Sequence, residues 1–240
     1  MKAIPEIKEP SIYAEKAFIH SEFVQVVSND MFDVKMIYPI LGMENATNDC
    51  YMRKEVYEHL ISAAKNLPEG YRFRILDAWR PFLLQRELYD KYSKDIILKF
   101  NLKERKEEEV KKVISNFISE PIANENLPPV HTTGGAVDLT ILDAHGKELD
   151  MGTLFDEFTQ RTYTSYYEKE KIGEIKKNKT IRDNRRILYN VMTESGFTNL
   201  PSEWWHFDYG DRFWAFYNDK PAIYRGVFTK EELLNGETRQ

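Results

Sequence analysis

The sequence predicts an α+β fold, because helical and strand-like segments both occur but do not alternate as they do in a parallel α/β sheet. Several long segments repeat apolar residues at helical spacing, and shorter runs have strand propensity or two-residue alternation. The clearest helical segments are 53–67, 82–100 and 180–196, and the clearest strand-like ones are 71–75, 137–142 and 204–209. With 240 residues the chain can bury a sizeable core, and we expect a single domain over residues 1–240.

The N-terminal part of the chain carries little regular periodicity. Residues 1–33 are predicted to form an extended N-terminal arm with one short strand at 23–27, and a further strand is expected at 34–40, ended by Pro39. A helix follows at 53–67 and stops before a Pro and a Gly. The face that it buries is predicted to comprise Val56, Leu60, Ile61 and Ala64.

Arg80 stands at a predicted corner between a strand and a helix. The alternation of apolar and basic residues at 71–75 predicts a half-buried strand, and Pro81 suits the start of a helix that continues to Phe100. A guanidinium fixed at such a corner can point into a pocket, or it can simply pair with a carboxylate. The helix is predicted to bury Leu83, Leu84, Leu88, Tyr92 and Ile96.

Composition argues against several classes of protein. The net charge of -5 gives no basic footprint for nucleic acid, and the mixed charges at 103–112 indicate the solvated face of a helix. Cys50 is the only cysteine, so any metal must be held by histidine and carboxylate. No stretch approaches the roughly 18 apolar residues of a membrane span, and the N-terminus lacks the apolar core of a signal peptide. We therefore expect a cytoplasmic protein without membrane association.

Residues 130–142 combine a histidine, a Gly-Gly turn and a carboxylate. Gly134 and Gly135 allow the chain to turn after His131 and to bring it beside Asp138 in the strand that follows. Apolar residues flank Asp138, so its carboxylate is expected to be partly buried and to need a partner or a metal. The alternative is a structural carboxylate paired with an arginine.

Residues 201–211 place a carboxylate, Glu203, three residues before His206 in a run of aromatic residues. The aromatic residues favour a strand, and Pro201 marks its entry. Because residues three apart on a regular strand face opposite sides, Glu203 and His206 can serve one site only if Glu203 lies on the turn or at a bulge. The alternative is an aromatic core strand with an incidental histidine.

His131, Asp138 and His206 together supply two imidazoles and one carboxylate. Catalytic zinc uses three protein ligands of these kinds and keeps the fourth position for water or substrate. Glu203 is placed to move protons, and Arg80 can stabilise the negative charge that develops on a carbonyl oxygen during amide hydrolysis. The set therefore predicts a hydrolase with one catalytic Zn2+.

The remaining segments are less informative about chemistry. The polar stretch 160–179 is predicted to be an exposed excursion and a possible lid, and aromatic residues at 211–217 suggest a further strand. Thr229 and Glu232 match a capping box that starts a final helix. His145 lies in a turn-like sequence and is expected to be exposed.

Two motifs, His-x-x-Gly-x-Ala-x-Asp at 131–138 and Glu-x-Trp-His at 203–206, resemble the paired signatures of the zinc D-alanyl-D-alanine dipeptidases of the vancomycin-resistance type. That family belongs to the D,D-peptidase clan, which shares a fold with the hedgehog signalling domain. The likeness extends to three further segments, 77–81, 151–156 and 196–207. It covers roughly residues 30–217 and implies a central antiparallel sheet flanked by helices.

The resemblance implies a role for each matching residue. His131, Asp138 and His206 would bind zinc, Glu203 would be the catalytic acid and base, and Arg80 would assist the transition state.

Substrate recognition is also implied by the resemblance. Asp156 would bind the free amino group of the dipeptide and so restrict cleavage to very short substrates. The family often has a serine two residues before the first ligand, where this chain has Pro129, which offers neither a hydroxyl nor an N–H. The exact dipeptide preference is therefore left open.

The expected function is hydrolysis of D-alanyl-D-alanine or a related D,D-dipeptide, in cell-wall turnover or glycopeptide resistance. One alternative is a D,D-carboxypeptidase or an endopeptidase acting on peptidoglycan stems with the same metal chemistry. The other is a binding domain that retains zinc without turnover, although the presence of Glu203 and Arg80 argues against it.

Overall fold

The structure is a computed structural model that describes residues 1–10, 14–115, 117–124, 127–169 and 176–235. The strands are β1 (Phe23–Val26), β2 (Phe32–Val34), β3 (Cys50–Arg53), β4 (Arg72–Asp77), β5 (Ala136–Leu142), β6 (Thr198–Asn199) and β7 (His206–Asp208). The helices are α1 (Ile37–Ile40), α2 (Lys54–Lys65), α3 (Phe82–Lys99), α4 (Glu107–Ile114), α5 (Lys176–Glu194), α6 (Arg212–Asn218) and α7 (Lys230–Leu234). Short 3-10 turns lie at Val130–Thr133, Gln160–Thr162 and Tyr166–Glu168.

A five-stranded sheet with the order β2-β4-β5-β7-β6 forms the centre of the fold. Its pairs are antiparallel except for the parallel pair of β2 and β4 at one edge. A separate two-stranded sheet joins β1 to β3. The predicted α+β fold, with a central and mainly antiparallel sheet flanked by helices, is confirmed.

The main core lies between one face of the sheet and helices α2 and α5. Val137, Leu139 and Ile141 of β5 point into it, together with Leu60 of α2 and Leu188 of α5. Because side chains alternate across a strand, Asp138 and Thr140 face the opposite side of the sheet. Strand β5 is buried at every position, so the carboxylate of Asp138 lies in the interior.

A second apolar cluster joins helices α3 and α4 on the side that Asp138 faces. The predicted buried residues of α3 are confirmed at Leu84, Leu88, Tyr92 and Ile96. Leu83 was expected to be buried as well, but it is 47% exposed. The buried residues are spaced four apart, and Leu83 lies one position before the first of them, on a different side of the helix.

Two strand predictions are wrong. Residues 34–40 were expected to be one strand, but β2 ends at Val34 and the short helix α1 includes Pro39. Residues 211–217 were expected to be a strand, but Arg212–Asn218 form helix α6, because the Asp211 side chain accepts hydrogen bonds from the backbone N–H groups of Phe213 and Trp214. This N-cap outweighs the strand propensity of the aromatic residues.

The described part of 160–179 packs against the body of the protein. Thr162, Thr164 and Tyr167 are buried, although the sequence predicts an exposed excursion. The Thr162 carbonyl accepts a hydrogen bond from the Trp204 N–H, and the Thr164 N–H donates to the Pro201 carbonyl. Residues 160–169 therefore support the turn that precedes β7, whereas 170–175 lie outside the described residues.

Both ends of the described chain are tied to the fold. The N–H groups of Ala17 and Ile19 donate to the carbonyls of Ala222 and Ile223, so this part of the predicted arm runs beside a later segment. Thr229 caps α7 as predicted, accepting from the Glu232 N–H. None of the described helices has the length and apolar character needed to cross a membrane.

Candidate metal and substrate site

The three predicted ligands meet where β5 and β7 run side by side. In the antiparallel register Asp138 lies directly opposite His206. His131 comes from the 3-10 turn before β5, and Gly134, with φ of 72°, ends that turn in the left-handed region. The sequence-based expectation that the chain turns after His131 and returns it beside Asp138 agrees with this arrangement.

The facing atoms of these ligands have the separations that a single small ion requires. His131 Nε2 lies 3.2 Å from His206 Nδ1, and His206 Nδ1 lies 3.0 Å from Asp138 Oδ1. His131 Nε2 lies 3.4 Å from Asp138 Oδ2. Ligands held about 2.0–2.1 Å from a tetrahedral zinc ion would lie about 3.3 Å apart. All three side chains are buried, so the donor set fits zinc.

Other groups orient both imidazoles toward this centre. His131 Nδ1 donates to the Ala78 carbonyl at 2.8 Å, and His206 Nε2 donates to Asp208 Oδ1 at 2.8 Å. The other nitrogen of each ring, His131 Nε2 or His206 Nδ1, faces the partner ring and the Asp138 carboxylate. Imidazole nitrogens and a carboxylate oxygen are zinc ligands, and here they converge so that one ion could bind all three.

The charge on Asp138 is consistent with this role. Burial by itself would raise its pKa, but the His131 and His206 rings hold the pKa of this carboxyl well below its usual range. Asp138 is therefore ionised at any physiological pH, as a metal ligand must be.

Glu203 lies on the turn before β7, which is the position that the sequence argument required. The backbone contact of its neighbour Trp204 with Thr162 holds this turn in place. Glu203 Oε2 lies 3.9 Å from His206 Nδ1, and burial raises the pKa of Glu203 to about 8. A carboxyl group with such a pKa can both accept and return a proton near neutral pH.

Arg80 is held rigidly at the corner between β4 and α3. Its Nε and Nη2 lie 2.9 and 2.8 Å from Asp77 Oδ2, and Nη1 donates to Gln85 Oε1 at 2.6 Å. Its Nη2 also donates to the Tyr38 hydroxyl at 3.2 Å and lies 3.8 Å from Asp138 Oδ2. Arg80 therefore pairs with a carboxylate and at the same time presents a fixed positive charge beside the three ligands.

Burial would lower the pKa of Arg80, but Tyr38 and the carboxylates of Asp77, Asp138 and Asp156 raise it, so the guanidinium stays charged. A fixed and desolvated cation of this kind can stabilise negative charge that develops on a reacting oxygen.

Asp156 lies across the cavity from the sheet. Its Oδ2 accepts hydrogen bonds from the hydroxyls of Tyr38, at 3.0 Å, and Tyr92, at 2.8 Å. Its backbone is in the left-handed region, with φ of 56°. Burial raises the pKa of Asp156 to about 6, although the two tyrosine hydroxyls and Arg80 oppose that shift. This carboxylate can receive an ammonium group.

These groups line one small cavity of about 50 Å3, which we call the inner cavity. It adjoins a larger outer cavity of about 380 Å3, and Glu203, Leu200 and Phe213 line both. Pro129 borders the inner cavity, where it offers no polar group. The polar residues that line the inner cavity are Tyr38, Arg80, Gln85, Tyr92, Ser119, His131, Asp138, Asp156, Glu203 and His206.

Several residues that position this site were not predicted from the sequence. Asp208 could have been found, because it lies two residues after His206 and therefore shares its side of the strand. Tyr92 was placed on the buried face of its helix, and a buried phenol needs a hydrogen-bond partner. Tyr38 gave no such signal, because it was assigned to a strand.

His145 is exposed on the turn after β5, as expected, and is not part of the group of possible metal ligands.

Comparison with known proteins gives the family. Residues 39–224 match the family described as D-ala-D-ala dipeptidase. The chain belongs to this family of metallopeptidases. A D-alanyl-D-alanine dipeptidase from a Synechocystis strain is 29% identical over 181 residues, which are 70% of this chain and 73% of the relative. The resemblance in the sequence motifs is thereby confirmed, and so is the expectation of an enzyme.

Two further members of the D-ala-D-ala dipeptidase family match a shorter part of the chain. The D-alanyl-D-alanine dipeptidase of Escherichia coli is 38% identical over 78 residues, which are 32% of this chain and 36% of the relative. That of Enterococcus faecalis is 35% identical over 79 residues, which are 32% of this chain and 35% of the relative. Each of these alignments spans about a third of the relative.

Among solved structures, the LdcB LD-carboxypeptidase, described in connection with peptidoglycan recognition, is 18% identical with a TM-score of 0.37. The alignment covers 92% of this chain and 79% of that one.

Proposed function

We propose that this protein is a zinc-dependent dipeptidase that hydrolyses D-alanyl-D-alanine or a related D,D-dipeptide. The observation that carries the proposal is the meeting of His131, Asp138 and His206 beside Glu203, in a cavity that Asp156 borders. Membership of a metallopeptidase family and the names of the relatives support it.

The residues that would hold the metal are His131 through Nε2, His206 through Nδ1 and Asp138 through its carboxylate. The chemistry that a zinc ion supplies in such a site is polarisation of a carbonyl oxygen and acidification of water. Asp208 and the Ala78 carbonyl keep the two imidazoles oriented, because each accepts the N–H on the far side of a ring.

Glu203 and Arg80 would perform the proton transfer and the charge stabilisation. Glu203 takes a proton from the attacking water and returns it to the leaving amino group, because the leaving amine must be protonated to depart. Arg80 stabilises the negative charge on the former carbonyl oxygen. Since Asp77, Gln85 and Tyr38 already hold the guanidinium, no reorganisation is needed when that charge appears.

Asp156 would fix the amino end of the substrate. Its Oδ2 is occupied by two tyrosine hydroxyls, so Oδ1 is the oxygen that would face an ammonium group. An ion pair inside so small a cavity limits how far the substrate can extend on the amino side of the scissile bond. A free amino group therefore becomes a requirement for cleavage.

The outer cavity favours a second candidate function. A space of about 380 Å3 beside Glu203 exceeds the volume of one alanine residue, and a peptidoglycan stem could occupy it. The alternative is therefore a D,D-carboxypeptidase or an endopeptidase that uses the same residues.

Hydrolysis of a defined panel separates the two functions. Metal-loaded protein is incubated with the four alanyl-alanine stereoisomers and with a stem pentapeptide that ends in D-Ala-D-Ala, and released alanine is measured. We expect the D,D-dipeptide to be cleaved fastest and the pentapeptide to be left intact. Release of D-alanine from the pentapeptide alone would overturn the dipeptidase proposal in favour of the carboxypeptidase.

A further inference from the structure

Arg212, at the start of α6, borders the outer cavity together with Glu203. Its Nε is buried and has no hydrogen-bond partner in the described part of the chain. The guanidinium lies 4.7 Å from the centroid of the Phe213 ring. Burial lowers the pKa of Arg212, and Asp211 and Asp208 oppose that shift. An N–H donor that is buried without a partner costs free energy unless an acceptor reaches it.

The position of Arg212 indicates which cavity such an anion would occupy. The other cavity that Arg212 borders has a volume of only about 10 Å3, which is too small for a carboxylate. The outer cavity is far larger and continues into the inner one along Leu200 and Phe213.

The acidic residues at the outer cavity do not cancel this cation. Glu9 and Glu120 also line the cavity, but both are exposed to solvent, whereas Arg212 Nε is buried. Water screens charges at the rim much more than it screens a buried charge. The buried carboxyl groups of Asp208 and Asp211 also act on the guanidinium, but neither accepts a hydrogen bond from Nε, which can therefore bind an anion that enters from the reaction centre.

We propose that Arg212 binds the C-terminal carboxylate of the substrate, an inference that rests on the proposed dipeptidase function. A free dipeptide is a zwitterion with its scissile amide between an ammonium and a carboxylate. With the ammonium at Asp156 and the amide beside Glu203, the carboxylate extends into the outer cavity. Arg212 is the only basic residue among the described residues that line the outer cavity, and a guanidinium suits recognition of a carboxylate.

The test compares D-Ala-D-Ala with its C-terminal amide, D-Ala-D-Ala-NH2, as substrates of the metal-loaded protein. In wild type we expect kcat/KM for the acid to exceed that for the amide by about 10- to 100-fold, the range for a hydrogen bond to a charged group. Arg212→Gln should lose this factor on the acid and change little on the amide, and Arg212→Lys should keep part of the preference. Arg86→Gln, on the exposed face of α3, is the matched control.

Equal loss on both substrates would show that Arg212 only supports the fold, and an unchanged preference would show that it makes no contact with the carboxylate. Either result overturns the proposal. If wild type cleaves neither substrate, the dipeptidase proposal fails, and binding decides the role of Arg212 separately. Calorimetric titration with N-acetyl-D-alanine and N-acetyl-D-alaninamide should then show tighter binding of the acid to wild type but not to Arg212→Gln. Equal affinities would overturn the role of Arg212.

Discussion

The inner cavity has two walls that are built in different ways. The sheet wall carries Asp138 and His206, whose facing positions follow from the backbone register of β5 and β7. The opposite wall carries Tyr38, Tyr92 and Asp156, which lie far apart in sequence and meet through side-chain hydrogen bonds. Metal ligands need fixed distances, and hydrogen-bonded strands supply them. In the proposed function, substrate recognition depends on the two hydroxyl groups of this wall, so single substitutions should adjust it with little effect on the fold.

This difference predicts that changes on the sheet wall remove the metal, whereas changes on the opposite wall alter substrate binding. The most drastic test is His206→Ala, which deletes one ligand of three. We expect the purified protein to lose its zinc and all dipeptidase activity, as measured by elemental analysis and alanine release. The control is His145→Ala, which changes an exposed histidine. Full zinc content in His206→Ala would show that the ligand set is wrong.

Glu203→Gln separates the metal from the proton transfer. Because the amide cannot accept the proton from water, we expect kcat to fall by about 10²- to 10⁴-fold while zinc content stays at the wild-type level. Glu120→Gln removes an exposed carboxylate from the outer cavity and serves as the control. A Glu203→Gln protein that works at the wild-type rate would exclude Glu203 as the base.

Asp208→Asn tests whether a residue of the sheet wall that is not itself a ligand supports metal binding. The Asp208 carboxylate accepts the N–H of His206 Nε2 at 2.8 Å and so directs Nδ1 toward Asp138 and His131, where the metal would bind. Replacing it with the neutral amide should weaken zinc affinity by about 10- to 100-fold, as measured by competition with a chelator. Asp95→Asn, on the exposed side of α3, is the control. An unchanged zinc affinity would mean that Asp208 does not support the ligand.

The two walls also differ in how far the sequence predicts them. The meeting of His131, Asp138 and His206 could be predicted because each lies in a short motif, and the antiparallel pairing of two nearby strands then brings the motifs together. Glu203 could be placed on a turn because the two-residue period of a strand excludes any other way for it to join His206. For these residues, local geometry was sufficient to predict where they lie.

The opposite wall could not be predicted in the same way. The contacts of Tyr38 and Tyr92 with Asp156 span 118 and 64 residues of sequence, and only tertiary packing brings them together. Two local signals were also misleading: Pro39 suggested the end of a strand but lies in α1, and aromatic propensity hid the cap that Asp211 gives to α6. In α6 the Asp211 cap outweighed the strand propensity of the aromatic residues.

The pH dependence of KM tests the role of the opposite wall in substrate binding. Asp156 binds an ammonium group only when it is ionised, and its pKa is raised to about 6. Below pH 6 the ionised fraction falls, so KM should rise about tenfold for each pH unit, since protonation follows a single-site titration. Steady-state kinetics between pH 5 and pH 8 measures this effect. A KM that stays constant over that range would show that Asp156 does not bind the substrate.

Asp156→Asn gives a complementary result for stability. Because the folded-state pKa lies above the usual value of 3.8, the ionised carboxylate destabilises the fold at high pH and this penalty disappears as pH falls. The asparagine variant should therefore have a higher Tm than wild type at pH 7.5, with a smaller gain at pH 5. The same variant should retain zinc and have a high KM at all pH values. An equal gain in Tm at both pH values would contradict the assigned pKa.

Of these substitutions, Tyr92→Phe should have the smallest effect on activity. It is the most specific test of the hydrogen bonds that assemble the opposite wall. The Tyr92 hydroxyl donates to Asp156 Oδ2 at 2.8 Å and stabilises the ionised form. Its removal should raise the pKa of Asp156 and move the rise in KM to higher pH by about one unit, the equivalent of one hydrogen bond to a charged group.

At pH 8 and above, KM, kcat and zinc content of Tyr92→Phe should approach wild-type values, because Asp156 is ionised there in both proteins. Tyr89→Phe, which removes a half-buried hydroxyl from the same helix, should leave the KM profile where it is. If Tyr92→Phe lowered kcat equally at every pH, the tyrosine would act through the fold. That result would contradict the division of the cavity into a sheet wall that binds the metal and an opposite wall that binds the substrate.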